Sequence, residues 1–478
     1  MKNVQKWSWA VAIAGFLFGF DTVVISGANE PIRNLWNTSS WFHGTFIMSM
    51  ALWGTVLGSL FGGRFIDKYG RKPILVVIGG LYLFSAVGSA IAWDPYSFSF
   101  FRFIGGIGVG ASSVAAPAYI SEISSSKNRG RLVALYQFNI VFGILMAFLS
   151  NFLLNDFGGE DDWRFMLGVE AIPAMIYTLF VLTIPESPRW LLSKKGDIDA
   201  ASKILKELMN TRLLNETIEA IQSEIKSEGR GKVTNFFSKR FRFPILLAFL
   251  LAMFNQLSGI NFILYYAPSI LERAGFATSG SLLSSVSIGG VNLLFTFIGL
   301  YLIDRAGRRT LMYIGSIGYI VSLVLVAYGF YSDASAYFNL SFILLFIASH
   351  AIGQGAVIWV FISEIFPNSV RGIGQSWGTG THWVFAALIT LLGPVLMEIY
   401  PEGYQIFIIF AICMIVQLLF THFIMPETKG KSLEELKSLL EENYIFFNPP
   451  QFPLHQDPHP AVGYCPEIDY LLHQFFYL

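Results

Sequence analysis

Charge is scarce in this chain. Of 478 residues, 13% are Asp, Glu, Lys or Arg, against about 25% in an ordinary soluble domain. That deficit excludes the string of soluble domains that length alone would favour. The formal net charge is zero, so nothing points to nucleic acid or to an acidic partner. Cysteine is nearly absent: Cys413 lies in an apolar run and Cys465 in the tail. Two thiols so placed have no metal-ligand spacing and give no disulfide framework or redox role. There is no His/Cys cluster and no Walker loop, so neither a metal, another cofactor nor ATP drive has support. GGIGVG, Gly105 to Gly110, resembles a nucleotide loop by letters only. It lies in an apolar run with no strand before it, where small residues serve helix packing.

What is present is apolar. Hydrophobic residues make up 54%, with 45 Phe and 44 Gly, and mean hydropathy is +0.55. A membrane helix needs about 20 mostly apolar residues. Runs of that kind lie near Trp7–Ile25, Phe46–Phe65, Ile74–Trp93, Phe98–Tyr119, Leu132–Leu153, Phe165–Ile184, Ile245–Ile270, Leu282–Leu302, Leu311–Phe330, Leu340–Phe361, Ile373–Met397 and Ile406–Met425. The first is long and lacks a following small-residue cleavage site, so it reads as a retained helix rather than a signal peptide. Arg64, Lys68, Arg71 and Lys72, then Lys127, Arg129 and Arg131, then Arg305, Arg308 and Arg309 fall on one side of the membrane. Arg33, Arg164 and Arg273 fall on the other. The richer side is expected in the cytoplasm, with both termini there. The charged segment from Lys194 to Lys239 has helical rhythm: Ile198, Ala201, Leu205, Leu208, then Leu214, Ile218, Ile221, Ile225.

The chain also repeats itself. ISEISSSKNRG (Ile120–Gly130) returns as ISEIFPNSVRG (Ile362–Gly372), and GRFIDKYGRK (Gly63–Lys72) as LYLIDRAGRR (Leu300–Arg309). Pro185-Glu186 returns as Pro426-Glu427. An all-α polytopic membrane protein follows, with twelve transmembrane helices in two parallel six-helix halves, a transporter architecture with its ligand between the halves. The expected units are 1–190, a cytoplasmic helical linker 191–242, 243–430, and a C-terminal helix and tail 431–478. The repeated charges Asp67, Arg71, Glu122, Arg129, Glu186, Asp304, Arg308, Glu364, Arg371 and Glu427 lie at cytoplasmic helix ends. They are expected to pair across the seam as a gate, because a guanidinium fork matches a carboxylate.

Asp21 stands inside the first apolar run, where an acid is costly and marks function. Phe18, three residues earlier, shares its helix face. Arg102 on the fourth helix is the expected partner. Moving Arg102 away would let Asp21 take a proton, the skeleton of a proton-coupled cycle. In the seventh run, Gly259 is expected to allow a bend, as are Gly353 and Gly355 in the tenth.

GRFIDKYGRK, RGRLVALYQ, PESPRW, QLSGIN, DRAGRR, WVFISEIFP and PETKG resemble the motifs of the sugar porters of the major facilitator superfamily, over nearly the whole chain to about Asn443. The resemblance implies import of a monosaccharide (pentose, hexose or related polyol) by alternating access, with no enzymatic step. By position in those motifs it implies a sugar site of Phe18, Gln137, Asn255, Gln256, Asn261, Tyr265, Asn292, Trp359, His382 and Trp383, and adds Arg189 of PESPRW to the gate. Amides both donate and accept, as sugar hydroxyls do, and aromatic faces suit sugar C–H faces. Asn255 stands where the family often has Gln, and His382 where Gln or Asn is common. Proton symporters of the family carry an acid where Asp21 stands, so symport is expected, with a passive facilitator or a transporter-like sensor as alternatives. The expected partners are a small-molecule sugar, a proton and the lipid bilayer. The expected place is the inner or plasma membrane, with the monomer as the functional unit.

Overall fold

In the computed structural model of this chain, residues 2–125, 128–208, 214–228, 236–367, 370–431 and 435 are described. Lys127, Cys465 and the run beyond residue 435 lie outside them. Helix is the only regular structure among the described residues. Among the described residues, eleven helices are long and apolar enough to cross a membrane, or twelve with the bent pair Ser40–Met48 and Met50–Tyr69 taken as one span.

The first half comprises α1 (Lys2–Trp36), α2 (Met50–Tyr69), α3 (Arg71–Ala90), α4 (Pro95–Ile123), α5 (Arg129–Leu154) and α6 (Gly159–Thr183). Two amphipathic helices follow, α7 (Ile198–Leu208) and α8 (Leu214–Glu228). The second half comprises α9 (Arg242–Tyr265), α10 (Thr278–Ala306), α11 (Arg308–Tyr331), α12 (Ala336–Glu364), α13 (Arg371–Ile399) and α14 (Tyr404–Phe423). The apolar stripe of α7 and α8 is real. Ala201, Leu205, Leu208, Leu214 and Ile218 share one core with Ile66, Ile120 and Trp190 of the first half.

Several spans are broken. The helix before α2 ends in a π-wound stretch, His43–Met48, and bends there by 40°. α6 is interrupted between Gly168 and Ala171. α9 stops after Leu257 and restarts at Ile260 through Gly259, whose φ is +86°. A Cβ there would also lie 2.6 Å from the Phe410 ring, so glycine is required twice over. α12 is interrupted at Gly353. The bends expected at Gly259 and Gly353 are therefore breaks in the helical hydrogen bonding. Elsewhere glycine brings backbones together. Any Cβ on Gly106 or Gly110 of α4 would collide with the Ala51 or Thr55 carbonyl of α2. GGIGVG is a packing face.

The repeated motifs fold alike. Arg71 bonds Glu122 through Nε and NH2 (2.9 and 2.8 Å), and Arg308 bonds Glu364 the same way (3.1 and 2.7 Å). Arg71 also reaches Asp67, and Arg308 reaches Asp304. Glu186 accepts from the backbone N–H of Arg71 and Lys72, as Glu427 does from Arg308 and Arg309. Ser187 and Thr428 donate to Glu122 and Glu364 (2.5 and 2.6 Å). Burial opposes the Glu427 charge, but four backbone N–H groups hold its carboxyl below the ordinary glutamate value. Each of these ion pairs closes within its own half, because Arg71 and Glu122, like Arg308 and Glu364, sit on neighbouring helices of one bundle. Arg129 is exposed at the start of α5, Arg189 lies in the one-turn helix Pro188–Trp190, and Arg371 donates to the Phe366 carbonyl.

Gly70 joins α2 to α3 at φ +102°, and a Cβ on it would strike the Glu186 carboxylate. Gly70→Ala is expected to cost about 1–3 kcal/mol through the strained backbone and to break the Glu186 cap. A thermal-unfolding scan of the purified protein should show a lower midpoint than the parent's.

Candidate functional site

α1 carries two faces of the site within one turn. Phe18 points across the seam to Trp383 of α13, with ring centroids 5.5 Å apart. His382 continues the aromatic wall. Its ring lies 4.9 Å from Trp359 of α12 and 4.9 Å from Trp383. Trp359 is 38% exposed, whereas Trp383 is buried.

The break in α9 sets the amides. Asn255 and Gln256 end its first segment, and Asn261 and Tyr265 lie in the second; all four are buried. Gln256 Nε2 donates to Asn255 Oδ1 (2.9 Å) and lies 3.3–3.4 Å from both ring nitrogens of His382. Gln256 Oε1 and Trp383 Nε1 are buried and bond no other described group. A buried polar group left unpaired costs about 1–3 kcal/mol, so this acceptor and this donor are each available to a further polar partner. Asn292 of α10 is buried and Gln137 of α5 half-buried. The structure thus joins Phe18, Trp383, His382, Trp359, Gln256 and Asn255 by direct contact. It places Gln137, Asn261, Tyr265 and Asn292 on the spans α5, α9 and α10.

Three residues toward the far end of α1, Asp21 meets Arg102 of α4. The guanidinium NH1 bonds the Asp21 carboxylate, and NH2 donates to the Asp21 carbonyl at 3.0 Å. Both side chains are 2–3% exposed. Glu170, absent from the sequence expectations, lies buried at the break in α6, close enough to Asp21 and Arg102 to feel both charges. Glu170 Oε1 and Arg102 Nε have no partner among the described residues. The signal was available: Glu170 interrupts the apolar run Phe165–Ile184 just as Asp21 interrupts the first.

The end opposite the repeated motifs is closed across the seam. Asn29 of α1 donates to Ser269 (3.0 Å), which donates to Glu30 (3.1 Å). Gly44 packs so tightly on the Leu391 carbonyl that no Cβ fits. A cavity of about 350 Å³ at this end is lined by Ser26, Glu30, Ser269 and Glu272, away from the amides and tryptophans.

The family described as sugar (and other) transporters matches residues 7–440. The arabinose-proton symporter of Bacillus subtilis (strain 168) is 34% identical over 442 residues, covering 90% of this chain and 94% of that protein. The D-xylose-proton symporter of Escherichia coli (strain K12) is 32% identical over 468 residues, with the same coverage. The partially occluded inward-open structure of the xylose transporter XylE from E. coli matches at TM-score 0.80 and 30% identity, over 90% of this chain and 100% of that one. The complex of XylE with 6-bromo-6-deoxy-D-glucose matches at 0.75, also at 30% identity, over 92% and 99%.

Proposed function

This chain belongs to the sugar transporter family, and on that premise we propose that it imports a monosaccharide across the cell membrane by alternating access, driven by proton symport. One observation carries the reading. A single turn of α1 presents Phe18 to the seam, against Trp383, and Asp21 to the buried ion pair with Arg102. A tilt of α1 that opens the site also strains the pair. Sugar occupancy and charge are thereby linked through one rigid element.

The centre suits a neutral polyol. Gln256 Oε1 accepts a hydroxyl, Trp383 Nε1 donates to one, and the Phe18, Trp359 and Trp383 faces cover C–H surface. Gln137, Asn261, Tyr265 and Asn292 complete the wall. The buried ion pair supplies the coupling. Asp21 holds its charge in a dry site only while Arg102 balances it. When Arg102 moves away Asp21 takes a proton, and it releases that proton when the pair re-forms.

The likeness to inward-open XylE, together with the closed far end, supports a state open on the motif side, which we assign to the cytoplasm. The breaks at Gly259 and Gly353 are the hinges by which the far segments of α9 and α12 close and open. The ion pairs at Arg71 and Arg308 hold each half rigid while it rocks, and both termini lie inside.

The test is counterflow of labelled D-xylose, arabinose and D-glucose by the full chain in proteoliposomes. At least one sugar is expected to exchange. An imposed pH gradient is expected to drive its accumulation, and a protonophore to abolish it. Exchange indifferent to the gradient would make the protein a facilitator, and binding without exchange a sensor.

A further inference from the structure

Behind the amide pair runs a buried chain of side-chain hydrogen bonds. Gln256 Nε2 donates to Asn255 Oδ1 (2.9 Å), and Asn255 Nδ2 to Gln354 Oε1 of α12 (3.5 Å). Gln354 Nε2 donates to Gln417 Oε1 of α14 (2.8 Å), and Gln417 Nε2 to Ser316 Oγ of α11 (2.8 Å). Ser316 in turn donates to the Met312 carbonyl (2.7 Å). All five side chains are 2% exposed or less, so water does not compete for these bonds.

An amide can point either way, and its donor and acceptor exchange when it flips. Here the far end decides. A backbone carbonyl only accepts, so the Ser316 hydroxyl spends its single proton on Met312 and must accept from Gln417. That orients Gln417, which orients Gln354, then Asn255, then Gln256. The reverse direction would forfeit the Ser316–Met312 bond with no gain elsewhere. At the near end both Gln256 N–H groups are committed, one to Asn255 and one toward His382. Oε1 is the group left unpaired.

We infer that the chain Ser316–Gln417–Gln354–Asn255 is a polarity relay that makes Gln256 present an acceptor to the sugar and so selects for a donating hydroxyl at that point. The inference rests on the proposal that Gln256 faces the sugar. Ser316, Gln417, Gln354 and Asn255 are positioning residues: they act through Gln256 and touch no substrate. The relay spans α9, α11, α12 and α14, all in the second half. It therefore travels with that half as a body. The longest link is at Asn255, whose side chain is one methylene shorter than the glutamine common in the family.

The experiment measures counterflow KM and maximal rate for whichever of D-xylose, arabinose and D-glucose the full chain exchanges best, and for its monodeoxy analogues. Ser316→Ala removes the polarity anchor. It is expected to raise KM roughly three- to tenfold, the loss of one oriented neutral hydrogen bond, with the maximal rate held within about twofold. The penalty for one particular deoxy analogue should shrink, because a Gln256 free to flip no longer demands that hydroxyl. Ser316→Thr keeps the hydroxyl and should restore the parent KM. Gln417→Leu should reproduce Ser316→Ala, and the two should not add. In a Gln256→Ala background Ser316→Ala should do nothing further. The relay is overturned if Gln256→Ala raises KM while Ser316→Ala and Gln417→Leu leave KM and deoxy-sugar discrimination unchanged. It is overturned equally if the Ser316→Ala effect survives undiminished in the Gln256→Ala background. An unchanged KM for Gln256→Ala itself removes the sugar site, and the relay's role with it.

Discussion

Asp21→Asn is expected to abolish accumulation of sugar against its gradient while leaving sugar exchange intact. The asparagine keeps the shape and can still accept from Arg102, but it cannot carry the proton. Arg102 does not become an orphan, because the amide oxygen can still accept from it and its bond to the backbone carbonyl of residue 21 is untouched. The protein should therefore fold and rock. The size of the loss follows from the driving force. A charge moving through 100 mV releases about 2.3 kcal/mol, enough at one proton per sugar for roughly fiftyfold accumulation. The variant should reach an internal-to-external ratio of about one under the same gradient. Uptake into proteoliposomes, driven by an imposed pH difference and membrane potential, measures this directly. Uphill uptake by Asp21→Asn with unaltered pH dependence would remove Asp21 from the coupling step.

Arg102→Ala is expected to be more damaging, eliminating both accumulation and exchange. Asp21 and Glu170 would then share a dry site with no counter-charge. Breaking a buried pair by removing one partner costs about 3–5 kcal/mol, a penalty of roughly 150- to 4,000-fold on any state with both acids ionised. The site can relieve that cost only by keeping the acids protonated, which stalls the proton cycle. Neutralising one acid should help: Arg102→Ala with Asp21→Asn is expected to recover part of the exchange activity. Counterflow, together with the yield of folded protein on size-exclusion chromatography, separates a stalled transporter from an unfolded one. Normal uphill uptake by Arg102→Ala would sink the coupling scheme.

The two expectations differ because the substitutions are not equivalent. Asparagine at position 21 still offers Arg102 an acceptor, whereas alanine at position 102 leaves the buried Asp21 carboxylate without its counter-charge. Neither outcome depends on which sugar is carried. The relay behind Gln256 concerns affinity and selectivity, and its effects should appear in KM with coupling untouched.

Much of this was legible in the linear chain. Apolar runs of spanning length must become helices in lipid, where every backbone polar group needs an internal partner. Repeats such as DKYGRK and DRAGRR report the doubling of a bundle without any coordinates. Asp21 and Arg102 declared themselves by their cost at membrane depth. Glu170 meets the same test, as the lone acid in the apolar run Phe165–Ile184.

The tertiary structure decided what depends on which helices become neighbours. The motif charges bond within each half here, because α2, α3 and α4, like their repeats, converge at one end of a single bundle. The link from Asn255 to Gln354 is another such contact, because a short amide beside the Ser258–Gly259 break reaches the neighbouring helix. The direction of the hydrogen bonds behind Gln256 is likewise invisible in the letters. Composition and periodicity determine that a segment is buried and helical, whereas pairing, hydrogen-bond polarity and charge balance are properties of the contacts that folding creates.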